Sequence, residues 1–452
     1  MKVLRRGSAA AADRRSILRA RFTAMQRLHR MLVNRYGAPT SNETITAVIR
    51  LILNDIFFLE DTDDLRVHVE GALEMTRARG GLTALGGEGN MLAKMVVIID
   101  FATAIIREVP NSLSREEIAE YTEFLNRAAH ATPTSAHHRS SSASFATRPP
   151  SLDPVTAAII QDVDSLLTTL LAQPLNPSGW QLHKLQTMLD WVQSRVSGAA
   201  DVAQLNPSLS PSAYSPASSS SSPTSSSYTS FTPPHTSSIS SSSSSTSSSS
   251  SSPHSYPHHR STTGDADLGR AVRLSSLVYC RAIRACRPLS AAAQERDARE
   301  VAEAVWRVPS EVWEAEEEEG EWSGARGKWE AEDGLETEGW LASWDDDPSL
   351  SGVWAEAAAA VGATVAAVGG GNKSGRRRAL LLEALVSILA PVLPAAATPR
   401  GGPAAARACC AARAVFVAAG MQLALRDWDA AVRVLGRVVE LQARLRRYSQ
   451  SA

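Results

Sequence analysis

Thiolates and imidazoles are the side chains that hold zinc most readily, and a zinc site needs four such ligands gathered together, usually as two close pairs. The sequence offers four cysteines: Cys280, Cys286, Cys409 and Cys410. Cys280 and Cys286 fall on different faces of a helix, and neither has a histidine nearby. Cys409 and Cys410 are adjacent in an Ala-rich stretch. All four read as helical thiols packed in a core, and no metal site is expected. Histidines pair at His137-His138 and His258-His259, within Ser/Pro-rich text that gives an imidazole no nucleophile or carboxylate to work against.

The glycine runs fail as phosphate cradles. In GGGNKS, residues 369–374, Asn372 stands where a phosphate loop requires its second glycine. In LGGEGNML, residues 85–92, Leu92 replaces the last glycine of the dinucleotide pattern. No HExxH, GxSxG or paired-carboxylate arrangement falls on an ordered element. The expectation is a protein that is not an enzyme and takes no cofactor.

One unusual stretch remains. Residues 311–347 hold 15 Asp or Glu against Arg326 and Lys328, yet also Trp313, Trp322, Trp329, Trp340 and Trp344. Acids interleaved with bulky aromatics suit an activation segment offered to a partner's groove. The other reading is a surface insertion whose tryptophans pack back on the domain.

The elements that would carry these residues are helices. Val48, Leu51, Ile52 and Ile56 recur at helical spacing behind a cap at Asn42 or Thr44. A second helix runs over 65–79 and stops at Gly80-Gly81. A third carries Met91 to Phe101 and ends by Pro110, and a fourth starts at Ser112 or Ser114. The fold class is therefore all-α, a multi-helix α-α stack broken by long disordered insertions. Composition divides it into a helical part over 1–129, a flexible linker over 130–152, two helices over 153–197, a Ser-rich linker over 206–263, a buried helix over 268–290, the acidic Trp-containing insertion over 296–354, and Ala-rich helices over 355–452. GGGNKSGRRR, residues 369–378, reads as a loop within the last part.

Formal net charge is −1, so no global field recruits nucleic acid or an anionic membrane. The most apolar run, Ala379 to Ala397, is interrupted by Glu383, Pro391 and Pro394 and reads as core. The first 36 residues are Arg-rich with the single acid Asp13, which suits a domain helix and, as an alternative, a mitochondrial presequence.

ETITAVIRLILNDIFF (43–58), LRVHVEGALEMTRARGGLTALG (65–86) and MLAKMVVIIDFATAI (91–105) together resemble the fungal-specific transcription factor domain. This is the regulatory helical region that follows a binuclear zinc cluster. The family pattern falls on His68, Gly71, Met75, Arg79, Gly80, Gly81 and Leu85, and more faintly on Trp428 within RAVFVAAGMQLALRDWDAAVRVL. Leu65 stands where the family has tryptophan. The resemblance gives these residues structural roles: Gly71 for close helix approach, Gly80 and Gly81 for a turn, and His68 for a core hydrogen bond.

The resemblance implies a nuclear regulator acting through protein contacts, either with the transcription machinery or with a zinc-cluster factor, and dimerisation is open. Its zinc cluster has no counterpart here, so direct DNA binding is not expected; loss in evolution and a truncated gene model both explain that. A helical scaffold without a transcriptional role, cytoplasmic or nuclear, is the competing expectation.

Overall fold

The computed structural model describes residues 40–58, 63–86, 90–131, 153–174, 178–204, 263–307, 372–395 and 402–451, with isolated positions between 22 and 30. One compact unit is made from residues 1–200 and 261–452, and a second from 201–260. Among the described residues there are twelve α-helices, one 3-10 turn and no strand, which agrees with the all-α expectation. The acidic tryptophan stretch and the Ser-rich linker lie outside the described residues.

Helix α1 (Asn42–Phe58) starts one residue earlier than the spacing suggests, because Ser41 is its cap. The Ser41 Oγ accepts from the Thr44 amide at 3.2 Å and lies 3.1 Å from the Thr44 hydroxyl. Ile45, Val48, Ile49, Ile52 and Ile56 then form one buried stripe. Helix α2 (Asp63–Ala78) and helix α3 (Met91–Arg107) pack against it. Helix α3 is buried almost all round, from Ala93 to Ile106, because other helices cover each of its faces. Helix α4 (Arg115–Ala131) follows and meets the 3-10 turn Leu82–Ala84.

Helices α5 (Pro154–Ala172) and α6 (Gly179–Gln204) fall where two helices are expected over 153–197, α6 running seven residues beyond 197. Asp153 caps α5 through both carboxylate oxygens, which accept the Val155 and Thr156 amides at 2.9 Å. Helix α7 (Thr263–Ala285) ends at Cys286, which takes the left-handed φ of 48° usually left to glycine. After the short helix α8 (Leu289–Ala292) comes α9 (Glu295–Arg307), which corrects the start of the expected insertion, residues 296–307; its remainder lies outside the described residues. Its Ala298, Val301, Ala302 and Val305 are buried against α7 and against the later helix over residues 402–426, an apolar stripe concealed by the surrounding Arg and Glu.

Helix α10 (Asn372–Leu389) corrects a second expectation, since residues 372–378 of the supposed loop GGGNKSGRRR are its first two turns. Arg and Lys propagate a helix well, and the apolar run from Ala379 anchors this one in the core. Pro391 stops it by removing the N–H that would meet the Ser387 carbonyl. Helix α7 repairs the loss: the Tyr279 hydroxyl donates to Ser387 O at 3.1 Å and Ser275 Oγ to Ile388 O at 2.6 Å. Helices α11 (Gly402–Arg426) and α12 (Trp428–Ser451) close the unit.

These last two helices end three earlier ones. A helix leaves its final carbonyls without partners. Arg413 of α11 donates to Ile56 O of α1 at 3.1 Å, and Gln442 of α12 donates to Ile105 O of α3 at 2.9 Å. Arg444 of α12 donates to Leu170 O, to Gln173 O at 2.8 Å and to Leu171 O at 3.1 Å, at the end of α5. By length and composition Pro154–Ala172 and Ala408–Arg426 could each cross a membrane, yet here Leu166, Leu170, Phe416 and Leu423 are buried among other helices.

Glu383 of α10 is 4 % exposed and faces Arg433 of α12 at 3.5 Å. Burial pushes its carboxyl up to about 7, against the pull of Arg433 and with the push of Asp164 and Asp427. The folded protein thus holds this proton more tightly than the unfolded chain. The resulting stability is full below the ordinary glutamate value and is lost as pH rises to about 7. Glu383→Gln should therefore gain about 3 kcal/mol on the wild-type protein between pH 4.5 and pH 8, measured by urea unfolding at both ends. An unchanged difference would contradict this assignment.

Candidate functional site

The motif residues converge where α2 ends. His68, on α2, places Nδ1 2.7 Å from Oδ2 of Asp55, a carboxylate buried in α1, and so ties the two helices together. Met75 is partly buried against the core and Leu85 is fully buried. A Cβ added at Gly71 would meet nothing within 4 Å, so the close approach expected there is absent. The glycines that the geometry requires are Gly80 and Gly81, both at positive φ.

Helix α2 closes with paired backbone bonds: the Gly81 amide reaches Thr76 O and the Gly80 amide reaches Arg77 O, both at 2.9 Å. Gly80 has φ 109° and Gly81 φ 89°. Any side chain at 80 is strained, and its Cβ would sit 3.3 Å from that of Ala84. Gly80→Ala should cost about 1–2 kcal/mol, whereas Gly71→Ala should be neutral or stabilising by up to about 1 kcal/mol. Chemical denaturation of the two variants checks the contrast. Arg79 holds the far side of the turn, its Nη1 donating to Thr40 O at 2.8 Å ahead of α1.

The surrounding charges were not singled out by the sequence pattern. Ser114 and Glu117 form a reciprocal cap at the start of α4: the Glu117 amide donates to Ser114 Oγ at 3.1 Å and the Ser114 amide to Glu117 Oε2 at 2.8 Å. Arg77 grips the same carboxylate at 2.8 and 3.1 Å and donates to Ser112 O at 3.0 Å. That pairing holds the Glu117 carboxyl below its ordinary value. Asp100 of α3 accepts the Ser112 and Leu113 amides, both at 3.0 Å. Burial pushes its carboxyl up to about 6, against those amides and the Arg77 guanidinium. The spacing Ser-x-x-Glu at 114–117 is the one sequence signal that could have found this network.

Arg77, Glu117, Tyr121, Leu73, Leu113 and the Gly80–Thr83 backbone line a recess of about 50 Å³. At roughly 30 Å³ per liquid water, it has space for one or two waters. Tyr121 donates to Asn90 O at 3.2 Å, and Trp428 meets the Tyr121 ring edge-on at 5.2 Å. The Trp428 indole N–H donates to Thr122 Oγ1 at 2.9 Å. The arrangement is a cross-brace of α2, α3, α4 and α12.

Of the other sequence-selected residues, Cys280 and Cys409 are buried, and Cys286 and Cys410 are partly exposed. Burial pushes the Cys280 thiol up to about 11. Among the described residues no three His, Cys, Asp or Glu side chains gather where they could hold a metal ion. Trp313, Trp322, Trp329, Trp340, Trp344 and both histidine pairs lie outside the described residues.

No curated protein matches the chain, and no solved structure does. A family model, the fungal specific transcription factor domain, matches residues 5–316, which takes in the motif turn and helices α1 to α9. That is a family of transcription regulators and not of enzymes. With well over half of its length matched, this chain belongs to the fungal specific transcription factor domain family.

Proposed function

We propose that this chain regulates transcription through contacts with other proteins, in the nucleus, and that it reads no DNA sequence by itself. The family match over residues 5–316 carries the reading. In support, the motif's polar residues are engaged with the protein's own groups, His68 with Asp55 and Arg79 with the Thr40 carbonyl, and the neighbouring Arg77 is engaged with Glu117. They stiffen a helical platform and do not surround a substrate. Its partners are then components of the transcription machinery or a zinc-cluster factor that supplies the DNA contact.

Titrating labelled duplexes of random and selected sequence with the purified chain, at low and high salt, tests the absence of sequence reading. No binding, or weak binding that does not distinguish sequences, is expected. Salt-sensitive binding that strongly favours one sequence would overturn that part of the proposal.

A further inference from the structure

The last turn of α12 carries Arg446-Arg447-Tyr448-Ser449. Two arginines at the third and second positions before a serine form the pattern that arginine-directed serine kinases read, because carboxylates in their clefts accept both guanidinium groups. Arg447 and Ser449 are exposed, and Arg446 and Tyr448 are half-buried. The same pattern recurs at Arg5-Arg6-Gly7-Ser8, outside the described residues.

Access and charge both favour Ser449. A kinase takes its substrate extended, so the last turn of α12 has to unwind. Leu445 is the last buried residue of the helix, and none of residues 446–450 is buried. The final carbonyls of a helix have no partners within it. Opening residues 446–451 therefore uncovers no core side chain, and Arg444, which holds the end of α5, lies ahead of the opened turn. As for charge, Arg446 Nε donates to Gln442 O at 3.4 Å, and among the described residues Arg446 has no ion-pair partner. Glu108 attracts it from a distance, with both carboxylate oxygens already accepting from Ser290, from its amide at 3.1 Å and its hydroxyl at 2.5 Å. Arg447 beside it adds a like charge.

We propose that Ser449 is a phosphorylation site for an arginine-directed serine kinase, and that Arg446, three residues earlier on the same helical face, holds the phosphate. The Ser449 Oγ attacks the γ-phosphorus of magnesium ATP, the bond from that phosphorus to the bridging oxygen breaks, ADP leaves and the hydroxyl proton passes to the kinase's base. The phosphate brings about two negative charges to a helix C-terminus, where the dipole disfavours them, and the Arg446 guanidinium supplies the compensating cation. The inference stands whether or not the chain acts on transcription.

The folded full chain, incubated with magnesium ATP and the catalytic subunit of the cyclic-AMP-dependent protein kinase and mapped by mass spectrometry, tests the first part. Phosphate is expected on Ser449, and Arg446→Gln and Arg447→Gln should each slow its addition at least about tenfold. No phosphate on Ser449, whether or not Ser8 is modified, would overturn the proposal, and so would addition at an unchanged rate in both variants. Phosphorus NMR against pH tests the second part, the Ser449 signal being the one that Ser449→Ala lacks. A free phosphoserine takes its last proton near pH 6, as an order-of-magnitude guide. The phosphorylated wild-type chain is expected to bind that proton about threefold more weakly than Arg446→Gln phosphorylated to the same extent by longer incubation, with Arg447→Gln close to wild type. Equal proton affinity in wild type and Arg446→Gln would show that Arg446 serves kinase recognition alone and would overturn its role in holding the phosphate.

Discussion

Replacing Arg444 by alanine is expected to destabilise the helical unit by about 3–5 kcal/mol, measured by urea unfolding near neutral pH. Arg444 is only 8 % exposed and donates to three carbonyls at the end of α5. Its positive charge sits where the α5 dipole is negative, so the helix end is its counter-charge. Alanine removes the cation and its three hydrogen bonds, leaving Leu170 O only the Gln173 amide at 3.2 Å. Arg444→Met separates polar from apolar causes. Methionine restores most of the packed volume, so a loss nearly as large as that of alanine assigns the effect to the carbonyls. Arg444→Lys should recover only part of it, because an ammonium cannot span three carbonyls as the planar guanidinium does. Recovery of near wild-type stability by methionine would show that Arg444 acts through its stem alone.

Trp428→Ala should cost about as much, about 3–5 kcal/mol, for a different reason. The indole is 9 % exposed, packs edge-on against Tyr121 and donates to Thr122. Removing it leaves a cavity between α4 and α12 in the cross-brace behind the motif turn. Trp428→Phe keeps the aromatic contact but loses the indole N–H, and is expected to cost about 1–2 kcal/mol. If phenylalanine and alanine destabilise equally, the hydrogen bond to Thr122 and not the packing would be the source. Thermal and urea unfolding of the two variants side by side distinguish the cases.

Both residues lie beyond the family match, which ends at residue 316, yet they complete helices within it. The sequence shows why the first part of the fold is legible and the last is not. Helix stops are written locally: Gly80-Gly81 closes α2 with bonds no longer than one turn, and Pro391 ends α10. The apolar stripes of α1 and α3 are equally local. The partners of the orphan carbonyls are not, since Arg413 reaches back 357 positions to Ile56 and Gln442 reaches back 337 to Ile105. In the sequence these side chains look like ordinary polar positions on Ala-rich or Arg-rich helices. Helix α9 is hidden in the sequence because Arg and Glu outnumber its apolar stripe of Ala298, Val301, Ala302 and Val305.

The motif corner divides in the same way. Gly80 and Gly81 announce a positive-φ turn from residue type alone, and the conformation agrees. The Arg77–Glu117 pair and the buried Asp100 join segments that no fixed spacing connects. Gly71 shows the converse: a motif position given a packing role beside which a Cβ would meet only open space.

On the proposed function, a helical platform of this family regulates transcription by contacting other proteins. Tethering the full chain to a promoter through a heterologous DNA-binding module tests it most directly. The tethered wild-type chain is expected to change reporter output several-fold in either direction, and tethered Arg444→Ala, with its platform destabilised, to give a much smaller change. A reporter indifferent to the tethered, folded wild-type chain would contradict the claim and leave a scaffold without a transcriptional role.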